Sequence, residues 1–274
     1  MSTDHNYVLG QSERAARRLE LQDRHFAAPS EALLDALGIR PGDRVIELGC
    51  GPGGFTNRIA RRLGTGGVVV AVDASAALLE QARATVAGAG PGRVEFVRAD
   101  VSRPGAWLDG ADVVLGRAVL HHVPMAEYLL GRLRATLRPG TRLGFLEPDF
   151  RRPLVRLAHA EATGRPELAP LLVFSKVIND LYAAWRISPA VGASLAPALE
   201  EAGYANVRHA WHPFATDESV IENMRMIYDE VRDTLVSLGV LSAAEIAEQQ
   251  QLLAALRAGD LPPVWGLHQV TAVV

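Results

Sequence analysis

Val45-Ile-Glu-Leu-Gly-Cys-Gly-Pro-Gly-Gly54 decides how this chain is read. An apolar strand runs straight into a glycine-dense turn, and Phe55 to Leu63 then follow with helical spacing. Glycine is required where a turn takes positive φ or where backbone approaches a ligand with no Cβ in the way. Strand, glycine turn and helix in succession therefore predict a nucleotide or cofactor cradle. The turn alone leaves the cofactor open. Gly49, Gly51 and Gly54 satisfy G-x-G-x-x-G, with Asp73 about 20 residues on, which fits a dinucleotide. Glu47, two residues before the first glycine, fits a cationic amino group instead. Asp100 closes a third strand, Arg93-Val-Glu-Phe-Val-Arg-Ala-Asp100.

Outward from the turn, β-like runs alternate with helical ones. Val45–Leu48, Val68–Asp73, Val94–Val97, Asp112–Leu115 and Arg142–Glu147 are short apolar strands, separated by helices over Phe55–Leu63, Ala76–Ala87 and Met125–Leu137. Near-continuous β-branched runs mean strands covered on both faces, and β-α alternation means a parallel, doubly wound sheet. Before it, Gln11–His25 has helical period, and Ser30 is read as the cap of a helix over Glu31–Leu37. After Pro148 come helical spacing over 151–187, a helix over Ser188–Ala202 and a strand at Asn206–Trp211. A long helical stretch, Asp217–Arg257, is interrupted at Leu238-Gly239, and a last strand spans Gly266–Val274.

An acid before the glycine turn, an acid ending strand two and an acid after strand three together resemble class I S-adenosylmethionine-dependent methyltransferases. The resemblance is close over Arg44 to about Asp149 and looser elsewhere. It extends to the bacterial small-molecule type, ubiquinone and menaquinone methyltransferases among them, through Tyr7-Val-Leu-Gly10, Arg18-Leu19, Gln22 and the R-x-x-L-x-H run Arg117-Ala-Val-Leu-His-His122. It implies a Rossmann-like, mostly parallel seven-stranded sheet with the last strand antiparallel between strands five and six. It also implies one domain over 1–274: a helical cap at 1–43, a cofactor core at 44–149, and helical insertions at 150–187 and 215–262 forming a lid over the substrate pocket.

The same resemblance gives S-adenosyl-L-methionine as cofactor and assigns its contacts. Backbone of Gly49, Cys50, Gly51 and Gly53 packs on the methionine portion, and Glu47 takes the α-ammonium. Asp73 accepts from the two ribose hydroxyls, and Ala74 borders the adenosine. Asp100 takes the adenine amino group and the Val101 amide the ring, while Tyr7 and Arg117 line the pocket. The plainer reading of Glu47 and Asp73 is that they fasten the loops after their strands.

His121 and His122 suggest a general base, since imidazole titrates near neutrality. The alternative is that they support the loop. Glu147, in Glu147-Pro-Asp149, either faces substrate or holds Arg151 or Arg152. Trp185, Arg186, Met224 and Tyr228 are candidate substrate contacts, with a plain helical core as the alternative.

At 274 residues, 49% hydrophobic and 22% charged, the chain carries enough apolar residues for a sizeable core. A net charge of −3 gives no general attraction to nucleic acid. The single Cys50 excludes an intrachain disulfide and a cysteine-rich metal site, and no metal is expected. No apolar run reaches about 18 residues, so no membrane partner is expected and a cytoplasmic location is. The leading expectation is methyl transfer to oxygen, nitrogen or carbon of a small organic metabolite in a biosynthetic pathway, by a chain that could form a homodimer. The alternatives are a cofactor-binding protein of the same fold that cyclises its substrate or only binds, and an NAD-dependent oxidoreductase.

Overall fold

A computed structural model of the chain describes residues 13–274 apart from Ala89, Pro91 and Arg186, with the side chains of 13–16 and 260 also left out. Among the described residues there are seven strands: β1 (Arg44–Leu48), β2 (Val68–Asp73), β3 (Arg93–Arg98), β4 (Val113–Arg117), β5 (Arg142–Pro148), β6 (Ala205–Pro213) and β7 (Gly266–Val273). They form one sheet in the order β3-β2-β1-β4-β5-β7-β6. β1 pairs in parallel with β2 and β4, β2 with β3, and β4 with β5. β7 runs antiparallel to β5, with His268 opposite Glu147, so the last strand lies between β5 and β6 as expected.

Two compact units divide the chain. One comprises the described residues of Phe26–Asp149, Arg186–His212 and Gly266–Val274 and contains the sheet but for Pro213 at the end of β6. Val45, Ile46 and Leu48 of β1 and Val69 to Val72 of β2 are at most 1% exposed, which is why these strands read as near-continuous apolar runs. One core joins Ile46, Leu48, Val70, Val72 and Val114 to Leu129, Leu130 and Leu133 of α5 (Ala126–Thr136) and to Leu195 and Leu199 of α8 (Val191–Glu201). α2 (Ala27–Leu37) packs on β5 so closely that a Cβ at Gly144 would stand 2.7 Å from Leu37. α3 (Gly54–Leu63) and α4 (Ala76–Val86) cover β2.

α2 differs from its sequence reading. It starts at Ala27, so Ser30 is inside it rather than capping it. Pro29 sits in the first turn, where a missing amide costs no intrahelical bond, and Ser30 Oγ donates back to the Phe26 carbonyl at 2.6 Å. α8 likewise begins at Val191, three residues later than Ser188 suggested.

The other unit gathers the described residues of Met1–His25 with Phe150–Trp185 and Pro213–Trp265. It is helical: α1 (Glu13–His25), α6 (Arg151–Ala162), α7 (Ala169–Ala184), α9 (Glu218–Ser237) and α10 (Ala243–Ala254). The break expected at Leu238-Gly239 separates α9 from α10, with Gly239 at φ +67°. Asp217 caps α9 through the amides of Ser219 and Val220, and Ser242 with Glu245 makes a reciprocal capping box on α10. Arg18 of α1 and Glu230 of α9, both nearly fully buried, form an ion pair at 3.0 Å. Removing one member of such a pair would leave an uncompensated buried charge. Among the described residues no helix is long and apolar enough to cross a membrane.

Candidate functional site

The parallel strands β1 to β5 end on one side of the sheet, and the order reverses between β1 and β4. In open α/β sheets ligands bind beyond the strand carboxyl ends at such a reversal. The Gly49–Gly54 turn and the 117–122 loop leave β1 and β4 there, and they touch. A Cβ on Gly49 would come within 2.4 Å of Val119 Cγ2, and Gly49 has φ +66°, so both space and backbone require glycine.

The glycines of the turn do different work. Gly53 stands against α4, where a Cβ would meet Ala82 backbone at 2.9 Å, so this position serves helix packing. A Cβ on Gly51 would meet nothing within 4 Å, leaving the cradle face of the turn open at this position. The amides of the turn also hold its shape: Cys50 N donates to Val72 O, Gly53 N to Cys50 O, and Gly51 N to Asp73 Oδ2 at 2.9 Å. The Cys50 thiol is 5% exposed, and burial, with Glu47 and Asp73 nearby, pushes its pKa well above the usual range. It is an inert packing group.

Asp73 ends β2 and ties two loops, its Oδ1 accepting from Ser75 N and its Oδ2 from Gly51 N, both at 2.9 Å. Burial raises its pKa above 3.8, and the amides of Ser75, Gly51 and Ala74 partly offset that. Ala74 beside it is exposed. Glu47, 2% exposed, accepts from Thr56 Oγ1 at 2.6 Å and so ties the end of β1 to α3. The loop-fastening reading is thus realised for both acids. It does not compete with ligand binding, because a carboxylate has about four acceptor sites. Asp100 Oδ1 accepts from Ser102 N and Oγ, closing a turn after β3, while Val101 packs on the main core.

The carboxyl end of β4 is fastened from β5. Glu147, fully buried, accepts at Oε1 from Val119 N (2.9 Å) and Leu120 N (2.8 Å), and at Oε2 from His121 N (3.3 Å) and His121 Nδ1 (2.7 Å). Glu147 was expected either to face substrate or to hold Arg151 or Arg152. These bonds hold the loop of β4 instead. Ala118, at φ +51°, supplies the reversal that turns successive amides toward one carboxylate. With Nδ1–H donating to a carboxylate, neutral His121 carries its lone pair on Nε2. Its ring, 4% exposed, lies 4.0 Å from that of His122. Arg117 is clasped on the α2–α3 side: its guanidinium lies 4.9 Å from the Phe55 ring and 5.8 Å from Phe26, and Nη1 donates to Ser30 Oγ at 3.0 Å.

Of the other expected site residues, Tyr7 and Arg186 lie outside the described residues. Trp185 caps the end of α7, half-buried, with its ring 6.0 Å from Tyr182. Met224 and Tyr228 are 3% and 0% exposed inside the helical unit, where Tyr228 meets the Phe174 ring edge-on at 5.5 Å. Burial raises the Tyr228 phenol, and its hydroxyl has no partner among the described residues. Thr56, Val119 and Ala118 were not singled out from sequence, and Ser30 was read only as a helix cap, not as a partner of Arg117.

A methyltransferase domain model matches residues 45–140. The chain is 35% identical over 147 residues to a trans-aconitate 2-methyltransferase of Variovorax paradoxus strain S110, covering 52% of this chain and 53% of that one. It is 27% identical over 194 residues to the aklanonic acid methyltransferase DauC of Streptomyces sp. strain C5, covering 68% of this chain and 85% of the other. The chain spans about half or less of the length of the first curated relatives it matches. A geranyl diphosphate methyltransferase solved with S-adenosylmethionine superposes with a TM-score of 0.53 at 17% identity, over 98% of this chain and 94% of that one, which shows a common fold. The nicotinamide alternative, which rested on the glycine spacing and on Asp73 about 20 residues on, gives way to the family match. The open cradle face at Gly51, bordered by the Asp73 carboxylate, fits S-adenosylmethionine. From Val45 to Gly140 this chain carries a class I S-adenosylmethionine-dependent methyltransferase domain.

Proposed function

We propose that the whole chain is a methyltransferase acting on oxygen, nitrogen or carbon of a small organic metabolite, as a step in a biosynthetic pathway. One observation carries the reading: the turn at Gly49–Gly54, the Asp73 carboxylate and the 117–122 loop meet at the carboxyl ends of β2, β1 and β4. The names of the relatives, trans-aconitate and aklanonic acid methyltransferases, support a small acceptor. The net charge of −3 gives no support to a nucleic-acid acceptor.

When bound, S-adenosylmethionine supplies an electrophilic sulfonium methyl group. The chain's own part is to hold and orient. Asp73 offers its remaining acceptor sites to a vicinal diol, and Gly51 leaves room for the ligand chain. Glu47 places a negative charge at the root of the turn, and Glu147 fixes the loop that carries His121 and His122. Such positioning supplies most of what alkyl transfer needs. The test is production of S-adenosylhomocysteine by the purified chain given S-adenosylmethionine and a panel of small acids, phenols, enols and amines that includes trans-aconitate and aklanonic acid. Turnover of at least one member is expected. Cofactor binding with no turnover across the panel would favour a non-transferring protein of the same fold.

A further inference from the structure

Residues 214–265 leave the sheet at the end of β6 and return to it at the start of β7, so these two strands are the stem of that insertion. The stem is closely built. Phe214 N donates to Trp265 O at 3.2 Å, and a Cβ on Gly266 would come within 2.5 Å of both the His212 carbonyl oxygen and Trp211 Cζ2. Two side-chain hydrogen bonds cross from β6 to β7. His212 Nε2 lies 2.9 Å from Gln269 Oε1, and His209 Nε2 lies 2.7 Å from His268 Nδ1, the last two rings being stacked at 4.9 Å. His268 is 5% exposed, with Trp211 against its ring at 4.7 Å, and a Cβ on Gly192 of α8 would come within 3.0 Å of its Cδ2. His209, on the edge strand, is exposed.

The two bonds answer protonation differently. An amide oxygen only accepts, so His212 donates to Gln269 whether its ring is neutral or charged. Between two imidazoles, one facing nitrogen must carry a hydrogen and the other a lone pair. Two neutral rings satisfy this, and so does one charged ring beside a neutral one. Two charged rings cannot. Both facing nitrogens are then donors, and two positive charges stand within hydrogen-bond distance. His268 is held by its packing, so the ring that can withdraw is His209.

We propose that His209 and His268 form a pH-sensitive clasp on the stem of the 214–265 insertion, closed while at most one of the two rings is charged and released when both are. The clasp does not depend on the methyltransferase reading. From the β5 side, Asp149 Oδ2 lies 3.6 Å from His268 Nε2, away from His209, and Glu147, opposite His268 in register, is engaged with the β4 loop. β6 carries His212, bonded to Gln269, and the exposed Arg208, while α8 presents uncharged Gly192. Partial burial and the neighbouring His268 hold His209 below its ordinary pKa of 6.5. His209 is therefore charged less readily in the closed stem than in an open one. The stability this contact gives is present above pH 6.5 and is lost as pH falls through the lowered value.

Hydrogen exchange of the full chain at pH 7.5 and pH 5, corrected for the pH dependence of the chemical step, tests this. Wild type is expected to lose about fivefold or more of its protection over 205–213 and 266–270 at pH 5, with β1, β2 and β4 unchanged. His209→Gln keeps a neutral hydrogen-bonding partner for His268 and removes the second charge, so protection of its stem stays level between the two pH values. His212→Gln removes a histidine from the same strand but leaves the clasp, and loses protection as wild type does. Wild-type stem protection that ignores pH, an equal loss in His209→Gln, or a loss spread evenly over the sheet each overturns the clasp. NMR titration of the imidazoles reads the coupling without any opening of the stem. His209 is expected to titrate below 6.5 and to move up toward it in His268→Gln; a His209 titration indifferent to that change overturns the clasp as well.

Discussion

Gly49 and Gly51 sit two residues apart with similar backbones and opposite duties, and the contrast can be measured. At Gly49 an added methyl group meets Val119, and positive φ adds its own cost. Gly49→Ala is expected to lose about 2–4 kcal/mol of unfolding free energy, from left-handed strain and overpacking together. Gly51→Ala carries the strain alone, about 1–2 kcal/mol, but sets its methyl on the open face of the turn. Denaturant unfolding and calorimetry with S-adenosylhomocysteine separate the two. Undiminished affinity in Gly51→Ala would move the cofactor off this face. Asp73 adds a pH signature. Because burial raises its folded pKa above 3.8, its proton is held more tightly in the fold than in the unfolded chain. Its own contribution to stability is therefore present in acid and lost as pH rises through that interval. Ligand affinity runs the other way, since hydroxyl donors need the carboxylate, and it falls as pH drops through the same interval.

Among the elements, the β4 loop and β5 depend on one another through Glu147. Glu147→Gln keeps the shape but replaces an acceptor oxygen with a donor NH2 group facing the donors of Val119, Leu120 and His121. One of these buried donors then has no acceptor, at an expected cost of about 1–3 kcal/mol. Faster amide exchange at residues 119–121 than in the rest of the sheet unit would mark the loosened loop; exchange slowed uniformly with wild type would contradict the fastening role. This bond set was invisible in the sequence because its partners are 26–28 residues away and three of them are main-chain amides. The strands were legible for the opposite reason: burial on both faces of β1, β2 and β4 writes itself into near-continuous apolar runs. The start of α2 was misjudged because Ser30 is a usual cap, while Pro29 before it is equally at home inside a first turn. His209 and His268 went unremarked because 59 residues separate them and only the antiparallel insertion of β7 brings them together.

For the molecule as a whole, the strand ends that carry the proposed cofactor residues could be read from sequence, and the residues that would meet an acceptor could not. Glu47, the glycines, Asp73 and Asp100 form a local pattern, since each stands at the end of a strand of the same parallel sheet. Acceptor residues follow no such spacing. They come from whichever helices and edge strands a given chain adds, and here Met224 and Tyr228 are indistinguishable in pattern from ordinary helix core. The central claim, that the turn and Asp73 hold S-adenosylmethionine, is tested most directly by titrating S-adenosylhomocysteine into wild type and Asp73→Ala by calorimetry. The account predicts saturable binding to wild type, weakened by about 1.5–3 kcal/mol in the variant through loss of hydrogen bonds to a charged acceptor. Equal affinity for the two proteins, or no binding to either, would contradict it.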